Sequence, residues 1–297
     1  MQFSIEGQAL AQWRGEVNQE AIAGGIDPNE VDWFLQYSTA LDKLTLRLDS
    51  LADWAAIPSR YPFPELQQRW QRRLRERCPL QYLVETAPWR QFHLRVSPAV
   101  LIPRPETELL IDWVASQIKS QPHLQTGNWV DLGTGSGAIA LGLAALLPDA
   151  QIHAVDYSEE ALAIARQNAQ TYGLQNQIHF YQGCWWEPLD HLRGQVQGMI
   201  ANPPYIPSAE LPHLPPEVYG HEPLLALDGG EDGLTAIRHL INTAPDYLQA
   251  SGLWAIEMMQ GQGAQIKTLL SQQGHYQKIQ GIDDLAGIER FITAQVH

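Results

Sequence analysis

At 297 residues and 44% hydrophobic content, the chain is long enough and apolar enough to bury a sizeable core, as one large domain or two smaller ones. Its 19 Lys and Arg stand against 33 Asp and Glu, and the formal charge of -14 disfavours loose, sequence-independent attraction to a phosphate backbone. Only Cys78 and Cys184 are present, which excludes a disulfide framework or a Cys-based metal site, and no run approaches the roughly 20 apolar residues that span a bilayer.

The first ten residues, MQFSIEGQAL, lack a basic region followed by an apolar one, so a cytoplasmic protein without a membrane anchor is expected, acting as a monomer. From residue 5 to about 80 the pattern is helical. Apolar residues recur at three- and four-residue spacing in Val31, Phe34 and Leu35 and again in Leu41, Leu44 and Leu46. The span 1–84 therefore reads as a small helical domain. Its last helix carries Arg69, Arg72, Arg73, Arg75 and Arg77, which reads as a solvated helix face or, alternatively, a docking surface for an acidic or RNA-rich partner.

Residues 85–105 change character. Phe92–Val96 alternates, Ser97-Pro98 turns, and Val100–Ile102 resumes, as expected of a hairpin linking two domains. Pro103-Arg104-Pro105 stops it, and a helix opens with Glu106 and Glu108 in its first turn, where the helix dipole favours carboxylates. Over 106–297 strands and helices then alternate. Strands are expected at 129–132, 152–155, 178–181, 198–201, 253–256 and 290–293, with helices at 138–147 and 159–172 between the first three. The rhythm implies an α/β fold, a parallel sheet with helices on both faces.

The first of these strands runs into Asp131-Leu-Gly-Thr-Gly-Ser-Gly137. Gly133 and Gly135 permit a tight turn close to a ligand, and Gly137 permits close helix packing. A loop of this kind sets helix N-terminal N–H groups against an anionic group, and as G-x-G-x-x-A it also satisfies a dinucleotide fingerprint. The next strand ends at Asp156, an acid suited to both hydroxyls of a ribose, so a nucleoside ligand follows from the pair. Together they resemble the first two motifs of the S-adenosylmethionine-dependent methyltransferases. The resemblance implies a Rossmann-like class I methyltransferase sheet. It implies Asp131 and the loop, with Thr134 and Ser136, around the methionine part, and Asp156 on the ribose. Trp185 then flanks the adenine, and Cys184 stands where many relatives hold an Asp for the adenine amino group.

The fourth strand leads into Asn202-Pro203-Pro204-Tyr205, a loop by necessity because proline lacks the donor that ladders need. It matches the NPPY motif of methyltransferases that act on planar nitrogens in adenine rings or side-chain amides. An amide nitrogen shares its lone pair with the carbonyl and is a poor nucleophile. The Asn202 side-chain oxygen and the Pro203 carbonyl can each accept one of its hydrogens, aiming the nitrogen, while Tyr205 can lie against the planar amide. Asn202 also borders the methyl donor.

Four further runs bear on the substrate: Pro79–Tyr82, Val100–Leu109 with its PRPETE core, Glu222–Leu234 and Asp284–Gly287. With NPPY they resemble the PrmC (HemK) family, the glutamine methyltransferases of peptide chain release factors. The similarity runs from about Pro79 to the C-terminus. It implies S-adenosylmethionine as cofactor, the glutamine of a release factor Gly-Gly-Gln loop as substrate, and an N-terminal domain that grips the partner. It places Pro204 beside the glutamine and Leu101 in the wall of its pocket. Glu257-Met-Met-Gln-Gly-Gln-Gly263 and Gly287-Ile-Glu-Arg290 depart from the family pattern. Glutamine methylation of a ribosomal protein, a DNA or RNA amino-methyltransferase, and a non-catalytic dinucleotide binder are the alternatives, although no direct nucleic-acid substrate is expected of so acidic a chain.

Overall fold

The structure, a computed structural model, describes residues 1–297 and resolves the chain into two compact units. The first comprises Met1–Thr86 and Pro215–His221. Its helices are α1 (Gly7–Ala23), α2 (Asn29–Ser38), α3 (Lys43–Arg47), α4 (Phe63–Glu76) and α5 (Leu80–Val84). Their apolar stripes meet in a core that includes Leu10, Val17, Val31, Phe34, Leu35, Leu66 and Trp70. A small antiparallel ribbon, β1 (Phe3–Ile5) with β2 (Ile57–Ser59), accompanies them. The helical pattern conceals it, because three-residue strands are too short for alternation to register.

The arginine-rich helix α4 differs from its expected solvated face. Arg73 is only 6% exposed and binds Glu30 through two nitrogens, at 2.6 and 2.9 Å, and Glu217 at 2.8 Å. Arg77 meets the same Glu217 oxygen, Arg69 pairs with Glu65 and lies over the Tyr61 ring, and Arg72 pairs with Glu76. Most of this charge is thus matched inside the unit, by carboxylates that include one from the short helix Pro216–Tyr219 far along the chain. Arg75 alone of the five keeps to the solvated-face pattern without a carboxylate described beside it.

The second unit, Ala87–Leu214 and Glu222–His297, opens in a hairpin of β3 (Thr86–Trp89) and β4 (Phe92–Arg95). The expected arm over 100–102 is not a strand. The Val100 amide donates to the Ser97 carbonyl in a turn and the Ile102 amide donates to the Glu222 carboxylate, so these donors leave no ladder to build. Helix α6 (Glu108–Ser120) starts two residues after Glu106, with Thr107 at its N-cap position. Next come β5 (Thr126–Leu132), α7 (Ala138–Leu146), β6 (Asp149–Asp156), α8 (Glu159–Thr171), β7 (Ile178–Gln182), β8 (Val196–Ala201), β9 (Leu248–Glu257), β10 (Tyr276–Asp283) and β11 (Glu289–Val296).

The sheet order is β10-β11-β9-β8-β5-β6-β7. Strands β9, β8, β5, β6 and β7 are mutually parallel, while β11 runs antiparallel to both of its neighbours. Side chains alternate between faces as strand geometry requires. Trp129, Ile200, Ala255 and Phe291 pack with α6 and α7 on one face. Val130, Met199, Trp254 and Ile292 pack with helices Thr235–Thr243 and Gly263–Gln273 on the other. Both faces are covered, which is why Trp129-Val130 of β5 and Leu253–Ile256 of β9 are apolar at consecutive positions. Edge strand β10, not anticipated in the sequence, is interrupted by register shifts and by Gly281.

Candidate active site

The chain order reverses around β5: β6 and β7 lie on one side of it, β8 and β9 on the other. At such a switch point the loops leaving neighbouring strands diverge and open a crevice at their carboxyl ends. There the second unit holds a cavity of about 580 Å³, within the size range of small-molecule sites. Residues of the loops after β5, β6, β7 and β8 line it, together with 99–107 and 223–226.

The glycine loop forms one wall. Gly133, Gly135 and Gly137 all have positive φ, at 79°, 54° and 84°, a region that L side chains enter only with strain. A Cβ on Gly135 would meet no atom within 4 Å and would project into open space beside the cavity, so the turn leaves a cradle that a ligand can fill. A Cβ on Gly137 would instead stand 3.2 Å from the Ala165 side chain, consistent with a packing role for that glycine at the start of α7. Thr134 and Ser136 are buried and also line the cavity.

Asp131 lies beneath this loop, fully buried. Its Oδ2 accepts from the Thr134 hydroxyl at 2.6 Å and from the Ala140 amide at 3.0 Å, while Oδ1 has no partner. Burial pushes its carboxyl up to about 7. An acceptor left bare in the interior is costly and calls for a donor from a ligand. Asp156, at the end of β6, accepts the Gly135 amide at 2.8 Å and the Ser158 amide at 2.9 Å. Each oxygen keeps a lone pair for a hydroxyl. Burial raises its carboxyl above the usual range, and these backbone donors oppose the rise.

Trp185 lies beside Gly133, adopts φ of 52°, and lines the cavity next to Cys184. A bulky residue in the left-handed region signals a backbone held by its surroundings. The Cys184 amide donates to Glu187, and its thiol is raised by burial, so it supplies no charged acceptor. The orphaned Asp131 oxygen, the open Gly135 cradle and the acid at Asp156 together fit a ligand with an ammonium group and a ribose, as S-adenosylmethionine has.

Asn202 and Pro204 also line the cavity, as does Leu101 from the 99–107 segment. Pro203 is buried just behind this lining. The Tyr205 hydroxyl points back into the protein and donates to Glu257 Oε1 at 3.1 Å, while Gln262 Nε2 donates to the Tyr205 carbonyl at 3.0 Å. Burial and the nearby Glu257 charge hold the phenol well above its ordinary range, so it remains protonated. On the Leu101 side, Arg104 binds Glu222 at 2.7 Å, fixing the loop whose Ile102 amide that same carboxylate accepts.

Sequence reasoning passed over Thr107, Glu257 and Gln262. Each lies within a run quoted above, PRPETE or EMMQGQG, yet neither run declares which side chain will turn towards NPPY. The nearest signal is the register of β8 on β9, Ala201 opposite Ile256, which sets Asn202 and Glu257 side by side at the strand ends.

Residues 106–211 match the family model of the methyltransferase small domain. The chain is 52% identical to the release factor glutamine methyltransferase of Synechocystis sp. over 98% of its own length and 97% of that protein's. It is 47% identical to the protein of the same name from Thermosynechococcus vestitus, covering 98% of this chain and 99% of that one. Among solved structures, the hMettl16 catalytic domain in complex with a MAT2A 3′UTR hairpin superposes with a TM-score of 0.55 at 14% identity, covering 88% of each chain. That likeness concerns the fold alone.

Proposed function

Since the chain belongs to the release factor glutamine methyltransferases, we propose that its cavity receives the glutamine of a release factor Gly-Gly-Gln loop opposite S-adenosylmethionine, with Asn202 and Pro203 orienting the amide. The observation that carries this reading is the position of Asn202. It borders the same cavity as the glycine loop and Asp156.

When bound, S-adenosylmethionine supplies an activated methyl group on a sulfonium. The chain's own residues do the rest. The Asn202 side-chain oxygen and the Pro203 carbonyl accept the two amide hydrogens, fixing the nitrogen and opposing delocalisation of its lone pair. The prolines keep these acceptors from relaxing, which holds the reactants close to attack geometry. The apolar side chains of Leu101, Pro204 and Leu225 line the cavity around the amide. Tyr205 braces the loop from behind. The chain carries no positioned strong base at Asn202, and the scheme needs none: the amide nitrogen becomes far more acidic once methylated and releases its proton to solvent.

The first unit is assigned to gripping the release factor. Its paired arginines favour a partner recognised by shape and apolar contact over one held by bulk charge. A translation factor as substrate supports a cytoplasmic enzyme, and we read the chain as acting as a monomer.

The test supplies purified chain with methyl-labelled S-adenosylmethionine and either an intact release factor or one whose loop glutamine is alanine. Label is expected on the intact factor only. Label on both, or on neither while a ribosomal protein or tRNA is labelled, overturns the reading.

A further inference from the structure

We propose that Glu257 is a positioning residue: acting through Thr107, it sets which face of the Asn202 carboxamide looks into the cavity. The proposal rests on the reading that the Asn202 oxygen accepts a substrate amide hydrogen.

A carboxamide is nearly symmetric in shape, yet its two ends are opposites, one an acceptor and one a double donor. Asn202 works only with its oxygen towards the substrate. Flipped, it would set two donors against an amide that also donates, so something must bias the choice. Asn202 Nδ2 lies 3.4 Å from Thr107 Oγ1, and the Thr107 hydroxyl lies 2.5 Å from Glu257 Oε2. The other Glu257 oxygen takes the Tyr205 hydroxyl at 3.1 Å.

The directions of these bonds follow from chemistry. An ionised carboxylate only accepts, so Thr107 must spend its single proton on Glu257. Its oxygen is left with lone pairs alone and selects the donor end of Asn202. The Asn202 oxygen is thereby directed the other way. Two further observations describe the setting of this bond. Thr107 occupies the N-cap position of α6, where a threonine hydroxyl ordinarily accepts a backbone N–H, yet it makes no such cap. Glu257 is only 1% exposed, so its partners are confined to the protein.

Burial, with the neighbouring Glu106, pushes the Glu257 carboxyl above its ordinary range, and the Thr107 and Tyr205 hydroxyls and the facing Arg290 charge oppose that rise by favouring the carboxylate. Arg290 is itself held by Asp284 at 3.2 Å. The Asp284–Gly287 turn and EMMQGQG run, which the catalytic scheme leaves unused, thus terminate on the carboxylate that orders NPPY.

Glu257→Gln preserves shape but offers a donor to Thr107, which can then donate to Asn202 and reward the wrong flip. Thr107→Val removes the relay at nearly constant volume, and Thr107→Ser restores the hydroxyl. Purified full-length variants are compared with wild type for kcat and KM on an intact release factor and for S-adenosylmethionine affinity. Glu257→Gln and Thr107→Val are expected to lower kcat about tenfold or more, with cofactor Kd within about threefold, and Thr107→Ser to recover most of the loss. The double variant should lose no more than the worse single one. If Glu257→Gln does not fold, the Val and Ser variants at Thr107 decide alone. Unchanged kcat in Thr107→Val, or equal loss in Val and Ser, overturns the relay. Turnover by Asn202→Ala would instead overturn the reading beneath it, so the two failures are distinct.

Discussion

The Gly135 amide donates to Asp156 at 2.8 Å, joining the turn after β5 to the acid that ends β6. The ribose acceptor and the cradle for the rest of the cofactor are therefore one hydrogen-bonded assembly. Asp156→Ala should remove the acceptor and release the turn together. We expect at least about tenfold weaker S-adenosylmethionine binding by titration calorimetry, since two hydrogen bonds to a charged group are lost, with thermal stability of the cofactor-free protein changed little.

Gly135 and Gly137 sit two residues apart, both at positive φ, and should fail differently. A Cβ at Gly137 presses on Ala165 and Leu141, so Gly137→Ala should lower the melting temperature, at a cost of about 1–3 kcal/mol from strain and overpacking. A Cβ at Gly135 meets open space, so Gly135→Ala should cost only the backbone strain, about 1–2 kcal/mol, and act chiefly on cofactor affinity. Melting curves with and without cofactor separate them. Equal effects on both readouts would contradict the assignment.

Asp131 makes cofactor affinity depend on pH. Its folded carboxyl titrates near 7 and its unfolded one near the ordinary 3.8, so the folded protein binds the extra proton between those values. For this acid with a raised folded value, stability of the cofactor-free protein falls as pH rises from about 4 to 7 and levels above. Affinity for an ammonium-bearing ligand moves oppositely, strengthening as pH rises through 7 and the carboxylate forms. Asp131→Asn should abolish that pH dependence, weaken binding at pH 8 and raise the melting temperature of the free protein. Calorimetry and melting between pH 5.5 and 8.5 provide the check.

Asn202→Ala should leave cofactor binding nearly intact and reduce turnover by about 10²-fold or more, the usual loss when a donor or acceptor aimed at the reacting group is removed. Single-turnover methylation of a release factor, with cofactor affinity measured in parallel, gives the answer. A large loss of affinity alone would make the NPPY loop a structural element.

Arg73 is held between Glu30 and Glu217, and Arg73→Met would leave two mostly buried carboxylates without it. Breaking a buried ion pair costs about 3–5 kcal/mol, and partial exposure of both glutamates puts the expected loss nearer the lower end. Burial pushes the Glu217 carboxyl up, but the hydrogen bond to Arg73 and the Arg73 and Arg77 charges outweigh it and hold the group below its ordinary 4.5. Its stabilising effect is therefore complete above that value and is lost as pH falls below it. Arg73→Met should lower the melting temperature at pH 7 and flatten the acid limb below about 4.5. Circular dichroism melts at several pH values would show it.

Chemistry confined to one loop was legible in the sequence. Asp131–Gly137, Asp156 and Asn202–Tyr205 each lie at the end of an apolar strand, and the βαβ rhythm requires those ends to share one edge of a parallel sheet. Short apolar runs between turn residues likewise gave the strands of that sheet, apart from β10, whose alternation is broken by Gly281 and two register shifts. Only the tertiary structure could decide which distant side chains meet those loops. Thr107 lies 95 residues from Asn202 and 150 from Glu257, Arg73 lies 144 from Glu217, and no local periodicity encodes pairings at that range. Hydrogen-bond direction is a property of such meetings. A threonine in PRPETE could as well cap its own helix, and only the buried carboxylate beside it determines where its proton goes.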